Sequence, residues 1–147
     1  MKKFISFLFL MLFYGFVTKA TEIPEKFFKA LGQVESAGNV KAYNKNENAI
    51  GIYQIRKLYF IDAQKFNPEL KKYKHKDCFS EQISKQIVLA YFQKYGKNEL
   101  KNKDWESLAK LHNGGCNWKN KTGKAKQNLE ICRNKIKKEL DKIDKIR

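Results

Sequence analysis

Residues 27–39 read Phe-Phe-Lys-Ala-Leu-Gly-Gln-Val-Glu-Ser-Ala-Gly-Asn, and this stretch decides the fold. Apolar side chains recur in it at three- and four-residue spacing, which predicts the buried face of an α-helix. These side chains are Phe27, Phe28, Leu31 and Val34. Glu35 falls four residues after Leu31, on the same face and just before the helix-stop residue Gly38.

A carboxylate on an apolar helix face is unusual, because burying its charge is costly. The negative end of the helix dipole further disfavours the ionised form of Glu35, so both effects raise its pKa. A carboxyl group that stays protonated near neutral pH can act as the general acid of glycoside cleavage. Taken alone, however, Glu35 is better explained as a solvated glutamate at a helix end.

Length and composition predict one globular domain after an N-terminal signal. The chain has 147 residues, of which 42% are hydrophobic. Residues 1–20 combine two lysines at the start, a long apolar run and the end Thr18-Lys19-Ala20, which predicts a secretory signal peptide. An uncleaved membrane anchor is the alternative, but the apolar run is short for a span. The predicted mature domain is 21–147, and the predicted location is periplasmic or secreted.

The charge is strongly positive. The formal net charge is +16, and removal of residues 1–20 would leave +13. Such a charge favours a polyanionic partner, namely nucleic acid, an acidic membrane surface or an anionic cell wall. Export makes nucleic acid the least expected of these. A lysine-rich proteome would also explain the charge, so it is weak evidence.

The periodicity predicts a mainly α-helical domain. Helices are expected over 24–36 and 57–66, and a third is expected to start at Ser80 and stop at Gly96. Asp104 is expected to cap a fourth helix. The last, highly charged helix runs from about residue 125. Residues 49–55 are expected to form a turn or a short extended segment.

Three cysteines lie in the predicted mature chain, at Cys78, Cys116 and Cys132. An oxidising compartment would permit one disulfide and leave one thiol over. Their spacings of 38 and 16 residues match no zinc pattern, and the two histidines complete none. Neither a metal nor a cofactor is therefore expected.

Three segments together carry a family resemblance: residues 34–39, Val-Glu-Ser-Ala-Gly-Asn; residues 49–55, Ala-Ile-Gly-Ile-Tyr-Gln-Ile; and residues 108–115, Leu-Ala-Lys-Leu-His-Asn-Gly-Gly. In this order they resemble the lysozyme-like superfamily, specifically the soluble-lytic-transglycosylase type domain. The second and third segments, with Tyr59 and Asp62, are also similar to invertebrate-type lysozymes. The resemblance covers roughly residues 27–136 and implies a single helical domain with a substrate cleft.

The resemblance implies a role for each matching position in the first two segments. Glu35 would be the general acid, braced by Ser36. Gly51 would let the backbone approach the sugar closely. Gln54 would face Glu35 across the cleft, and Tyr53 would belong to the same substrate-binding set.

In the third segment, the resemblance places His112 and Asn113 on the opposite wall of the cleft, with Asn113 contacting an acetamido or hydroxyl group. Cys116 stands where the family often has proline, and Cys132 lies where it has an aromatic pair. These departures suggest a Cys116–Cys132 disulfide, which would leave Cys78 free.

The second carboxylate is the open question of mechanism. Hydrolytic glycosidases usually pair an acid with a nucleophile or base. Glu47 could reach the cleft, and Asp62 lies further along the chain, but neither sits in a convincing motif. A lytic transglycosylase needs no such partner, because the acetamido group and 6-hydroxyl of its substrate do that work. The sequence therefore favours the single-glutamate mechanism.

The favoured function is cleavage of the peptidoglycan β-1,4 bond between N-acetylmuramic acid and N-acetylglucosamine. A hydrolytic lysozyme that uses a second carboxylate is the first alternative, and a non-enzymatic cationic wall-binding protein is the second. The expected partners are peptidoglycan glycan strands and, as a further candidate, an envelope-spanning secretion or conjugation apparatus. No nucleic acid and no membrane span after signal cleavage are expected.

Overall fold

The computed structural model describes residues 22–146 of the chain, so the predicted signal peptide lies outside the described residues. Within them the structure is mainly α-helical, as the sequence predicts. Six α-helices follow one another: α1 (Glu25–Ser36), α2 (Lys57–Phe66), α3 (Glu81–Tyr95), α4 (Lys97–Lys101), α5 (Trp105–Gly114) and α6 (Gly123–Lys145). Three 3₁₀ turns lie between them, at Pro68–Lys72, His75–Phe79 and Trp118–Asn120. The short helix α4 is the one that the sequence analysis did not predict.

The helix ends follow the capping residues only in part. Asp104 caps α5, because its carboxylate accepts a hydrogen bond from the Ser107 amide at 3.0 Å. Ser80 occupies the N-cap of α3 but makes no side-chain capping bond. At the end of α1 it is Ala37, with a φ of +53°, that takes the left-handed conformation directly after the helix. Its amide bonds to Gln33 O at 3.1 Å, which closes the last turn next to Glu35.

A small antiparallel sheet lies between α1 and α2. Its strands are β1 (Tyr43–Asn44), β2 (Ala49–Ile50) and β3 (Ile55–Arg56), in the order β1-β2-β3. Residue 49 pairs with residue 56 across the β2–β3 hairpin. The segment predicted as a turn or extended piece is therefore a hairpin, and its short strands bring Arg56 back beside the loop that precedes β2.

The core lies where the apolar faces of α1, α3 and α5 meet. Phe27 of α1 is fully buried and packs against Phe92 of α3 and Trp105 of α5, with ring centroids 6.2 and 5.5 Å apart. The long helix α6 packs against both α5 and α1 and closes one side of the domain. No helix within 22–146 is long and apolar enough to cross a membrane.

Gly51 packs against protein backbone, which corrects its predicted role at the sugar. Its φ is +75°, and a Cβ at this position would overlap the carbonyl oxygen of Cys78. The close approach that requires a glycine is therefore between the hairpin turn and the segment before α3. Gly51 belongs to the scaffold of the fold.

Gly51→Ala should destabilise the protein by about 2–5 kcal/mol, because it adds both left-handed strain and a clash with fixed backbone. Gly123→Ala is the matched control. Gly123 also has a positive φ, +55°, but no atom lies within 4 Å of its Cβ position. This control should lose only about 1–2 kcal/mol. Urea unfolding of both variants measures the difference, and equal losses would show that the approach to Cys78 is not tight.

Candidate active site

Glu35 lies in the last turn of α1, at the base of a cleft of about 770 Å³. The walls of the cleft come from α1, the hairpin, the end of α5 and α6. Its lining residues are Val34, Glu35, Glu47, Arg56, Asn113, Gly114, Lys121, Ala125, Asn128, Leu129, Ile131, Cys132 and Lys135. A cleft of this size and shape can hold part of an extended ligand.

One carboxyl oxygen of Glu35 is buried without a fixed partner, although the residue as a whole is half-buried. Its Oε1 is inaccessible to solvent and makes no hydrogen bond to the described residues. Burial, and to a lesser degree the nearby charge of Glu47, raise the pKa of Glu35, whose net value is about 7. Arg56, the Asn113 side chain and Lys135 act in the opposite direction and lower this pKa. The balance keeps a large fraction of the group protonated near neutral pH.

Arg56 joins two walls of the cleft, and the sequence analysis did not identify it. Its guanidinium contacts Glu47 Oε2 through Nη2 at 2.6 Å and Nε at 2.7 Å, and Nη1 donates to the Asn113 carbonyl at 3.2 Å. The two bonds to Glu47 form a charge-assisted pair that fixes the position of its carboxylate. A sequence signal did exist, because a two-strand hairpin around residues 49–56 places residue 56 beside the loop that contains Glu47.

Ser36 braces Glu35 through the backbone. Its hydroxyl lies 2.8 Å from Ile52 O and 3.2 Å from Gly32 O, so it ties the end of α1 to the hairpin turn. Gly32 completes this contact, since a Cβ there would lie 2.8 Å from the Ile52 side chain. The serine therefore fixes the helix end behind the acid and does not itself line the cleft.

Neither Tyr53 nor Gln54 is among the residues that line the cleft, and the burial of Tyr53 corrects its predicted role in binding substrate. Tyr53 is fully buried, and its hydroxyl donates to Glu81 at 3.3 Å. Gln54 bends back on its own turn, where its amide donates to Gly51 O at 2.9 Å. Its φ of +47° turns the backbone there, and the side-chain bond stabilises the hairpin turn, while the predicted role of Gln54 at the substrate stays a prediction.

His112 is also a structural residue, which corrects its predicted place on the cleft wall. It is buried, with Nε2 2.7 Å from Tyr53 O and Nδ1 3.1 Å from the Tyr59 hydroxyl. Burial lowers the pKa of His112 to about 4, so the ring is neutral at pH 7. A carbonyl can only accept, so Nε2 bears the proton and Nδ1 accepts from Tyr59. The ring joins α5 to the hairpin turn and to α2.

Of the predicted site residues, the cleft thus brings together Glu35, Glu47 and Asn113. Asn113 follows His112 on α5, and the buried histidine fixes where the asparagine enters the cleft. The α6 wall was missed. Its lining residues Ala125, Asn128, Cys132 and Lys135 recur at three- and four-residue spacing, a signal hidden by the stronger apolar pattern of the same helix.

The predicted Cys116–Cys132 disulfide is not present, and all three cysteines of the described region 22–146 are free. Cys132 is buried at the floor of the cleft, with Sγ 3.9 Å from Ala109 O, and burial raises the pKa of its thiol to about 12. Cys116 is exposed on the loop after α5. One sulfur points into the α5–α6 interface and the other to solvent, so the two are not poised to bond.

The described residues contain no group of three or more histidine, cysteine, aspartate or glutamate side chains that could hold a metal ion. The chemistry available in the cleft is that of a protonated carboxyl, an ion-paired carboxylate, amides and cations.

In a comparison with known protein families, the family model described as Destabilase matches residues 24–135. The matched span starts one residue before α1 and ends at Lys135 in α6, so it includes every residue that lines the cleft. Comparisons with curated proteins and with solved structures give no match.

Arg56→Gln should raise the pKa of Glu35 above 7. Arg56 is the strongest of the charges that lower this pKa, and its loss would also free the charge of Glu47, which raises it. Arg133→Gln is a matched control, because Arg133 pairs with Glu130 on α6 outside the cleft. Carboxyl ¹³C NMR titration of Glu35 measures the shift. An unchanged or lower pKa in Arg56→Gln would contradict the assigned electrostatics.

Proposed function

The chain belongs to the Destabilase family of lysozyme-like glycosidases, and we propose that it is a lytic transglycosylase acting on peptidoglycan. Its substrate is the β-1,4 bond between N-acetylmuramic acid and N-acetylglucosamine, and Glu35 is the single catalytic carboxyl group. The observation that carries the proposal is the Glu35 carboxyl itself, which is buried in an open cleft, without a fixed hydrogen-bond partner at Oε1 and with a pKa near 7.

The first step is proton transfer from Glu35 to the glycosidic oxygen. A carboxyl with its pKa near the working pH is suited to this, since it is protonated yet still gives up its proton readily. As the bond from the muramic acid C1 to that oxygen breaks, the acetamido group of the same sugar stabilises the positive charge at C1. The N-acetylglucosamine unit leaves with the proton on its new hydroxyl.

The second step uses the same residue as a base. The Glu35 carboxylate accepts the proton of the muramic acid 6-hydroxyl, and that oxygen attacks C1 to close a 1,6-anhydro ring. The attack displaces the acetamido group, and Glu35 is returned to its protonated form. No water is consumed.

The state of Glu47 supports this mechanism over a nucleophilic one. Its carboxylate is bound by two N–H groups of Arg56, which neutralise its charge and occupy Oε2. A carboxylate held in such a pair is a weaker nucleophile than a free one. Glu35 is then the cleft carboxyl available for proton transfer.

Hydrolysis is the second candidate, and one observation favours it. Glu47 lines the same cleft as Glu35, and its charge acts on the Glu35 pKa. If substrate binding drew Arg56 away, Glu47 could act as nucleophile or base in the manner of a hydrolytic lysozyme. The two mechanisms leave different ends on the glycan, namely anhydro-muramyl ends or reducing ends.

The proposed setting is the periplasm or the exterior of the cell, with peptidoglycan strands as the partner. The strongly positive charge of the chain suits capture of an anionic wall. A secretion or conjugation apparatus that must cross the wall remains a proposed further partner. A cationic wall-binding protein without turnover is the rival of a different class, and it would need no buried acid in its cleft.

Glu35→Gln should reduce glycan cleavage by about 10²- to 10⁴-fold, because an amide cannot donate the proton. The assay is mass analysis of purified peptidoglycan after digestion. The same variant should unfold less readily at pH 8. The pKa of Glu35 rises from 4.5 to about 7 on folding, so the folded state loses stability as pH increases through that window.

Glutamine stays neutral and escapes this loss, which amounts to about 3 kcal/mol at pH 8 for a shift of this size. Urea unfolding at pH 4 and pH 8 measures it, and the advantage of the variant should vanish at pH 4. If Glu35→Gln cleaves glycan within a few-fold of the parent rate, Glu35 is not the general acid. If the variant is less stable than the parent at pH 8, the ionised Glu35 carboxylate is not destabilising in the folded state, which contradicts its raised pKa.

Glu47→Gln should lower activity only slightly and leave anhydro-muramyl ends as the product. Glu69→Gln, a substitution outside the cleft, is the control for loss of one negative charge. A fall in rate comparable to that of Glu35→Gln, with reducing ends in the parent digest, would replace the transglycosylase proposal by the hydrolytic one.

A further inference from the structure

Two of the three cations that line the cleft have no acidic partner. Arg56 is paired with Glu47, whereas neither Lys121 nor Lys135 forms an ion pair with any carboxylate of the described residues. Both lysines stand on the α6 wall, one just before the helix and one in its middle. Because Glu47 is paired with Arg56 and the two lysines are unpaired, the α6 wall is positive towards the ligand space.

Lys135 lies opposite Glu35. The start of α1 meets the end of α6, where Lys26 Nζ pairs with Asp144 at 3.0 Å. Nine residues along α1 lead from Lys26 to Glu35, and nine residues back along α6 lead from Asp144 to Lys135. Nine residues of helix cover roughly 14 Å. Because α1 and α6 run antiparallel from the Lys26–Asp144 contact, Glu35 and Lys135 lie at the same height along the two helices. Both residues line the cleft there.

An ammonium group beside the general acid works against proton donation, so another role is expected of Lys135. The positive charge of Lys135 lowers the pKa of Glu35 and so opposes its protonated form. A cleft for a neutral glycan would gain nothing from a cation beside its general acid. An ammonium with three donors on a flexible stem is well suited to a carboxylate whose position varies between substrates.

We propose that Lys135, assisted by Lys121 along the same wall, binds a carboxylate of the substrate and makes the cleft selective for an acidic glycan over a neutral one. This inference rests on the proposed function, because N-acetylmuramic acid is the unit that presents an acid, through its lactyl group or through an attached peptide. Lys135 is then a specificity-determining residue that touches substrate, and Glu35 remains the residue that transfers protons.

Equilibrium binding in the Glu35→Gln background tests the proposal, since the ligand is not consumed. The probes are soluble glycan strands freed of peptide with their lactyl carboxylates intact, and the same strands with those carboxylates converted to neutral methylamides. A third probe has peptides attached, and ionic strength is held constant because exposed charges are screened by salt. Preference for an acidic probe over the methylamide should be about ten-fold or more, as expected of a charge-assisted hydrogen bond.

Lys135→Gln should remove this preference while leaving the affinity for the methylamide probe unchanged, and Lys135→Arg should retain most of it. Lys138→Gln is the control on the same helix, because Lys138 lies outside the cleft and should keep the preference. Preference for the peptide-free acidic strands identifies the lactyl carboxylate as the ligand, and preference for the peptide-bearing strands alone identifies the peptide carboxylates.

A Lys135→Gln variant that keeps the preference, or that loses affinity for acidic and methylamide probes equally, would overturn the inference. Neither result bears on catalysis, which is read from cleavage by the parent protein. Conversely, selective binding without any cleavage by the parent would contradict the proposed function and leave the carboxylate site in place.

Discussion

The burial of one carboxyl group is the constraint on which the cleft depends. Glu35 gives up solvation at Oε1 without gaining a hydrogen bond, and the folded state pays for this whenever the group ionises. The surrounding structure must therefore hold α1, the hairpin and α6 together firmly enough to exclude water from Oε1 of Glu35. Such local cost at a reactive group is characteristic of active sites, where pKa values are tuned by burial and neighbouring charges.

The contacts that hold these elements together are made by uncharged groups and lie behind the cleft. Ser36 ties the end of α1 to the hairpin turn, and His112 ties α5 to the same turn and to Tyr59. The Tyr59 ring in turn stacks on Tyr91 of α3, with centroids 3.6 Å apart. Because these groups are uncharged at neutral pH, they fix the position of the acid without adding charges of their own to its surroundings. A motif residue can thus serve the site without touching substrate.

The charged groups that line the cleft have opposite effects on the pKa of Glu35. Arg56 and Glu47 neutralise each other, and the pair acts on Glu35 with one charge of each sign. Lys135 adds a positive charge that lowers the pKa of Glu35. The pKa near 7 is therefore a balance of burial against several charges, and substitutions at any of them should move the working pH before they change the fold.

The sequence by itself determined the helices, because their apolar periodicity and end signals are local: α1, α2, α3, α5 and α6 lie where the pattern placed them. It also drew attention to Glu35 on its apolar stripe, but only the resemblance of three segments taken together gave that residue a predicted role as the acid. It could not show that Gly51, Tyr53 and His112 are packed inside the protein, because a motif does not show which side of a turn faces solvent. Only the tertiary structure decided that Arg56 holds Glu47, that Cys116 and Cys132 face apart, and that Lys135 stands opposite the acid. Each of these depends on how separate elements pack, and residues distant in the chain meet only after that packing is fixed.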